Sequence, residues 1–255
     1  MSIGTIKFNG STLKNIQEGI GIISHNIANV NSAGFKEKLV QFSNVESHSS
    51  AGDSVSGAKI SSTNTKRTQG AIVSTGIASN LALKGQGFFT LINRSGEINY
   101  TRAGDFNLDS NNDLVDAAGN YVMSVAGSKI NIPDDALSYS INPAGEVYYT
   151  MNDQDAIYID QLQLAIFTNP DNLEALGDNI FRATNSTGNP IFSTAREAGN
   201  ITAGTSIVAG VVEKSNVDIS DSLVQLMAMQ RSFQAVSKAI TSADETVEST
   251  LGLIR

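Results

Sequence analysis

The chain has 255 residues, 40% of them hydrophobic and only 16% charged, which suffices for one large or two modest domains with a mostly neutral polar surface. A net charge of -8 and a pI near 4.7 exclude nucleic acid as a partner, because no basic stripe exists to neutralise phosphates. Cysteine is absent, which excludes a disulfide framework, a thiolate nucleophile and a Cys-based metal site; no run reaches the ~18 apolar residues of a membrane span.

The opening residues lack a basic start followed by an apolar run, so no cleaved signal peptide is expected. Instead they carry a seven-residue apolar repeat. Ile6, Leu13, Ile20 and Ile27 form one column, and Ile16, Ile23 and Val30 form a second three residues on. This alternation of three and four is the seam of a coiled coil, so a helix is expected over residues 2–31. Its polar face is nearly uncharged, with Lys7, Lys14 and Glu18 alone among residues 1–35. An exposed coiled coil carries Glu and Lys at its flanks, so this face suits a helix surrounded by others; an intramolecular hairpin with a polar surface is the plainer alternative. Gly10, Gly19 and Gly21 each cost about 1 kcal/mol relative to Ala, so the helix needs partners to form. Asn31, Ser32, Ala33 and Gly34 offer a left-handed stop.

Residues 43–65 are rich in Ser, Gly, Asn and Thr and read as a linker or loosely ordered arm, with Lys66 and Arg67 as a solvated turn. Strand signals then begin, at residues 71–73, 81–83, 88–92, 98–101 and 106–108, and continue at 121–125, 129–132, 139–141, 146–150 and 161–167. Turn residues separate them at 93–96, 109–112 and 118–120. The spacing describes a compact all-β domain over residues 71–200. The last helix is expected over residues 217–253, with Asp218, Ser220 and Asp221 as N-terminal acceptors. It repeats the opening pattern through Ile219, Leu226, Phe233, Ile240, Val247 and Ile254, flanked by Met229, Val236 and Ala243. The fold class is therefore α+β, with a discontinuous terminal α-helical coiled-coil domain and a central all-β domain.

No catalytic constellation stands out. Gly85, Gln86 and Gly87 precede a strand rather than the helix that a phosphate loop requires. Asp109, Asn111 and Asp113 open like a calcium loop, but Leu114 and Asn120 replace its obligatory Gly and Glu, leaving a β-turn with Asx hydrogen bonds. His25 and His48 have no acid or nucleophile at a useful spacing. The sequon at Asn185, Ser186 and Thr187 is a pattern common by chance. The reading is no enzyme, no cofactor and no metal.

Several phrases together resemble one family, the axial rod and hook proteins of the bacterial flagellum. Asn26, Ala28, Asn29, Gly34 and Phe35 fit its N-terminal signature N-x-A-N-x-x-x-x-G-[FY], and Lys36 follows. Thr68-Gln69-Gly70, then Leu81-Ala82-Leu83-Lys84-Gly85-Gln86-Gly87-Phe88-Phe89, resemble its central block, as does Tyr100-Thr101-Arg102-Ala103-Gly104-Asp105-Phe106. Glu213-Lys214-Ser215-Asn216-Val217-Asp218 and Gln230-Arg231-Ser232-Phe233 resemble its approach to the last helix. The resemblance implies an inner helical assembly domain of residues 1–35 and 216–255, an extended linker arm of 36–70 and 201–215, and an outer β domain of 71–200. It implies export without cleavage through the flagellar secretion apparatus, and partners that are copies of the chain, neighbouring rod and hook proteins and the envelope bushing rings. The expected assembly residues are Ile6, Leu13, Ile16, Ile20, Ile23, Ile27, Asn29, Gly34, Phe35, Leu226, Phe233, Ile240 and Val247.

Within the family the chain looks most like a distal-rod subunit, since residues 145–162 leave no room for the extra outer domain that hook proteins usually carry. A proximal-rod subunit and a short hook subunit are the alternatives. From other classes, a secreted coiled-coil adhesin or effector, or an unrecognised β-domain hydrolase, is the rival.

Overall fold

The computed structural model describes residues 3–48, 54–151, 155–195 and 205–252. Ile254, residues 201–204 of the expected arm, and the side chains of Ile6 and His48 lie outside the described residues. The chain divides into two compact units. One comprises residues 1–30, 37–67 and 217–255; the other comprises 31–36 and 68–216.

The first unit contains helix α1 (Ile3–Ala28), the strands β1 (Lys38–His48) and β2 (Ser54–Thr65), and helix α2 (Ile219–Gly252). β1 and β2 form one long antiparallel hairpin with a register shift between Gln41 and Phe42. The Ser-rich stretch expected as a loose arm is therefore paired through residues 43–48 and 54–65, because backbone groups in an extended ribbon satisfy one another whatever the side chains. Helix α1 packs on α2 and on both hairpin strands. At Gly19 three elements meet: an added Cβ would lie 3.0 Å from the Phe42 ring and 3.8 Å from the Met229 methyl. The glycine that weakens the isolated helix is what lets β1 and α2 approach it. Asp218 caps α2, its Oδ1 accepting from the backbone N–H groups of Ser220 (2.8 Å) and Asp221 (3.2 Å).

Among its described residues the regular structure of the second unit is β apart from one short 3-10 turn. In chain order its strands are β3 (Ile72–Ser74), β4 (Leu81–Lys84), β5 (Phe88–Ile92), β6 (Ile98–Thr101), β7 (Asn107–Leu108), β8 (Leu114–Val115), β9 (Tyr121–Val122) and β10 (Ser138–Ile141). There follow β11 (Glu146–Thr150), β12 (Ile157–Gln161), β13 (Leu164–Ile166), β14 (Glu174–Gly177), β15 (Ile180–Arg182), β16 (Ile191–Ser193), β17 (Ser206–Ala209) and β18 (Val211–Glu213). The largest sheet runs β14-β15-β6-β5-β9-β8-β7, with β13 pairing both β5 and β16. β10, β11 and β12 form a separate meander, and β17 and β18 return to pair β4 and β3.

Strand β5 explains this arrangement. Successive side chains of a strand point to opposite faces, so neighbouring phenylalanines serve two cores. Phe89 and Leu91 are fully buried with Leu81, Leu83, Phe106 and Leu162, whereas Phe88 packs edge-on to Phe167 and Phe181 on the other side. Four hairpin turns share one device. The side-chain Oδ1 of Asn93, Asp109, Asp116 and Asn142 accepts from the backbone N–H groups two and four residues on, at 2.8–3.0 Å. The residue three on is left-handed in each: Gly96, Asn112, Gly119 and Gly145. This is a type I turn closed by a left-handed residue, locked by an Asx side chain.

Residues 129–132, expected as a strand, make only isolated bridges, Met123 to Lys129 and Asp113 to Asn131. Strands β14 to β18 carry no strong apolar alternation; the neighbours they pair with, rather than their own propensity, hold them extended. Gly104 lies against the backbone of Leu81, and an added Cβ would sit 1.6 Å from the Leu81 carbonyl oxygen. Gly104→Ala is expected to destabilise the second unit by on the order of 3 kcal/mol, the scale of an overpacked core. All six tyrosines fall between residues 100 and 158 and the chain has no Trp, so tyrosine emission during urea unfolding reports that unit alone. An unchanged midpoint would show that this backbone approach is not required.

Candidate assembly site

The helical seam is the first candidate. On α1 the buried face is Thr12, Ile16, Gly19, Ile23 and Asn26, spaced by four and three. Of the two expected columns the one through Ile16 and Ile23 is the deeper, at 6% and 4% exposure, whereas Leu13, Ile20 and Ile27 are half-buried. On α2 the matching face runs Ser222, Leu226, Met229, Phe233, Val236, Ile240, Ala243 and Val247, with only Ser222 and Ala243 buried and the others half-buried. Ile219, expected in this column, is exposed, as are Leu223, Val224 and Met227.

The end of α1 is built from amides. Asn29 Nδ2 donates to the His25 carbonyl at 2.9 Å, closing the last turn. Asn26 does something else: its Nδ2 donates to the Lys38 carbonyl (2.8 Å) while its Oδ1 accepts from the Lys38 N–H (3.0 Å), as a strand neighbour would. The buried amide thus sets the start of β1 against α1. Lys66, expected in a solvated turn, pairs with Glu37 at 3.0 Å, and its backbone N–H donates to the Glu37 carbonyl.

Inside the second unit lies a cluster that the sequence does not announce. Glu213 ends β18 with its carboxylate fully buried. Its Oε1 accepts from Lys36 Nζ at 2.5 Å and from the Gly70 N–H at 2.9 Å, and its Oε2 accepts from Arg102 Nε at 2.9 Å. Arg102 spends its remaining donors on carbonyls: Nη1 on Gly87 (2.5 Å), Nη2 on Gly85 (2.5 Å) and Leu83 (3.3 Å). Lys36 Nζ also donates to the Thr68 carbonyl at 2.9 Å. Burial pushes the Glu213 carboxyl up, but the Arg102 charge, the Lys36 hydrogen bond and charge and the Gly70 N–H outweigh it and hold the carboxyl below its ordinary value.

Gly34 and Phe35 sit beside this cluster in the chain. Gly34 is left-handed, φ 67°, and its N–H donates to the Glu213 carbonyl at 2.7 Å. An added Cβ would lie 2.5 Å from the Ala103 nitrogen, so both conformation and space require glycine. Phe35 is buried at 5% exposure. Asp109 is the Asx turn described above, and among the described residues no three His, Cys, Asp or Glu side chains are grouped to hold a metal. No described helix is long and apolar enough to cross a membrane.

Residues 82–149 match the family described as the flagellar hook protein FlgE/F/G D1 domain, and 208–253 match the flagellar basal body rod FlgEFG protein C-terminal family. The chain is 35% identical to the flagellar basal-body rod protein FlgG of Bacillus subtilis (strain 168), covering 96% of this chain and 97% of that protein. It is 31% identical to the same-named protein of Caulobacter vibrioides, over 92% and 93% respectively. Similarity to the flagellar hook protein FlgE of Escherichia coli (strain K12) is 29%, over 77% of this chain but 45% of that protein. The chain belongs to the flagellar rod and hook protein family.

For this family member the residues around Glu213 give the family phrases a physical meaning. Lys36, Gly70, Gly85, Gly87, Arg102 and Glu213 each come from one of the phrases named above, and they converge on one carboxylate. Taken as a linear string, these phrases give no role to Lys36, Arg102 or Glu213. The only local hint is a charge beside apolar or strand residues that must find a partner, Glu213 after Val211 and Val212 and Arg102 just past the end of β6.

Glu213→Gln leaves Lys36 and Arg102 buried without their counter-charge, so the second unit is expected to lose about 3–5 kcal/mol at neutral pH. Because the folded carboxyl lies below its ordinary value of 4.5, the wild-type contribution is complete above pH 4.5 and disappears as pH falls through the lower folded value. Urea unfolding of both proteins across that window should therefore show the gap closing in acid. A constant gap would mean that the carboxylate charge is not what stabilises the cluster.

Proposed function

We propose that this chain is a structural subunit of the distal segment of the flagellar basal-body rod, polymerising into a helical tube that transmits torque and encloses the export channel. The observation that carries this reading is the end-to-end match to a basal-body rod protein, 96% of one chain against 97% of the other. The hook protein match covers 45% of that longer protein, which favours rod over hook.

In this reading residues 1–35 and 216–255 form an inner coiled-coil domain, 36–70 and 201–215 link outward, and 71–200 form the outer layer. Ile6, Leu13, Ile20 and Ile27 pack against Leu226, Phe233, Ile240 and Val247 within a subunit and between neighbours. Ile16 and Ile23 form the intramolecular side of the seam, and Asn29, Gly34 and Phe35 end α1 and turn the chain outward. The support is physical. Half-buried Leu226, Phe233 and Ile240, with exposed Ile219, Leu223, Val224 and Met227, leave apolar area that a single chain does not cover. No charged residue lies between Asp221 and Arg231 to oppose its burial. Burying one Leu or Ile side chain is worth about 1.5–3 kcal/mol, and repetition over many subunits makes a stiff polymer. Partners are copies of the chain, adjoining rod and hook proteins, the export apparatus and the envelope bushing rings; the role needs no cofactor and no enzymatic activity.

Leu226→Asp is expected to abolish motility while leaving the second unit folded, since a carboxylate in an apolar seam costs several kcal/mol. Ser110→Asp, in an exposed turn, is the matched control and should be nearly neutral. Equal motility of the two strains would remove the seam from the interface. Electron microscopy of basal bodies from a deletion strain separates rod from hook: rods ending within the envelope support the proposal, whereas complete rods lacking only the curved external segment identify a hook subunit.

A further inference from the structure

The chain crosses between its two units four times, at 30/31, 36/37, 67/68 and 216/217. Every segment adjoining a crossing on the second unit's side is fastened to Glu213 or to a group bound to it. The excursion of residues 31–36 is held by the Gly34 N–H on the Glu213 carbonyl and by Lys36 Nζ on the Glu213 carboxylate. The segment beginning at residue 68 is held by the Thr68 carbonyl on Lys36 Nζ and the Gly70 N–H on Glu213 Oε1. The segment ending at residue 216 carries Glu213 itself, and Asn216 Nδ2 donates to the Thr68 carbonyl and to Thr68 Oγ1, each at 3.0 Å. Arg102 ties this knot to the main body through the carbonyls of Gly85 and Gly87, at the edge of the buried strand β5. Gly70 completes the closure, because an added Cβ there would lie 1.9 Å from the Lys214 carbonyl oxygen.

We infer that Glu213 is a force-bearing clasp: tension or twist entering the second unit through any of the four crossings converges on one buried carboxylate and passes through Arg102 into the β body. A charged cluster suits this task better than apolar packing. Apolar contacts slide and release gradually, whereas directional charge-assisted hydrogen bonds in a dry site resist until several break together. The three crossing segments are parallel connections to one anchor. The clasp is a property of a single chain and stands apart from which segment of the flagellum it occupies.

The absence of cysteine makes the test direct, since handles can be placed at will on the full chain. Ser220→Cys with Ser110→Cys pulls across the crossing at 216/217, and Ser186→Cys with Ser110→Cys pulls within the second unit; all three serines are exposed. Under constant force in optical tweezers, Glu213→Gln should shorten the lifetime across the crossing by at least about tenfold, as loss of a buried charge partner implies, and by much less in the internal pull. Equal shortening in both geometries would reduce Glu213 to general stability and overturn the clasp, as would no shortening in either. Asn216→Ala, which removes the two bonds to Thr68 and leaves the ion cluster intact, gives a second reading. It should shorten the crossing lifetime and leave the internal one unchanged, and an unaffected crossing lifetime would equally overturn the inference.

Discussion

A carboxylate that is fully withdrawn from water inside a β body must be neutralised, and the position of Glu213 imposes that demand on most of the second unit. The effective desolvation of a single ion still costs several kcal/mol, which neither Lys36 nor Arg102 offsets unless both are in place and their own spare donors are bonded. Lys36 meets this through the Thr68 carbonyl, and Arg102 through Leu83, Gly85 and Gly87. The glycines follow from the same demand. Gly85 and Gly87 have φ of 118° and 120°, a conformation that turns their carbonyls toward the guanidinium and that side chains rarely adopt. An apolar core of the same volume would hold the strands together without such directional bonds between named partners.

The first unit solves the opposite problem. Its helices have few charges to place and little intrinsic helix stability, so packing alone must order them. Gly19 shows the compromise: the residue that lowers helix propensity provides the gap into which Phe42 and Met229 close. Asn26 shows another, a buried amide tolerated because both its polar atoms bond the backbone of Lys38. Along the helices Ile16 and Ile23 are buried, whereas Leu226, Phe233 and Ile240 are half-buried.

How legible all this was depends on the range of the interaction. The helices were legible because their periodicity is local and repeated, and the strands around Phe88 to Thr101 because apolar runs bounded by Asx and Gly turns are local signals too. The turn at Asn142 could have been read, since Asn142 and Gly145 repeat the spacing of Asn93 and Gly96. The β1–β2 hairpin was not legible: its Ser and Thr side chains carry no alternation, and the pairing is made by backbone groups and by α1 lying against it. Strands β17 and β18 were missed for a related reason, because they exist through partners more than a hundred residues away. Glu213 belongs to this last class. Its role is the meeting of segments far apart in sequence, and the family phrases marked every participant without revealing that they touch.

The division into units also bears on the entropy of folding. The second unit is contiguous from residue 68 to 216 apart from the short excursion 31–36, and its hairpins close loops of a few residues. The first unit joins the two ends of the chain, so its α1–α2 contact must close nearly the whole length. Closing a long loop costs only slowly more entropy than closing a medium one, but nothing repays it until the far contact forms. Organising the second unit first shortens that loop, because the bonds to Glu213 bring residues 34, 70 and 213 together. The ion cluster thus lowers the loop-closure cost that the α1–α2 contact must meet.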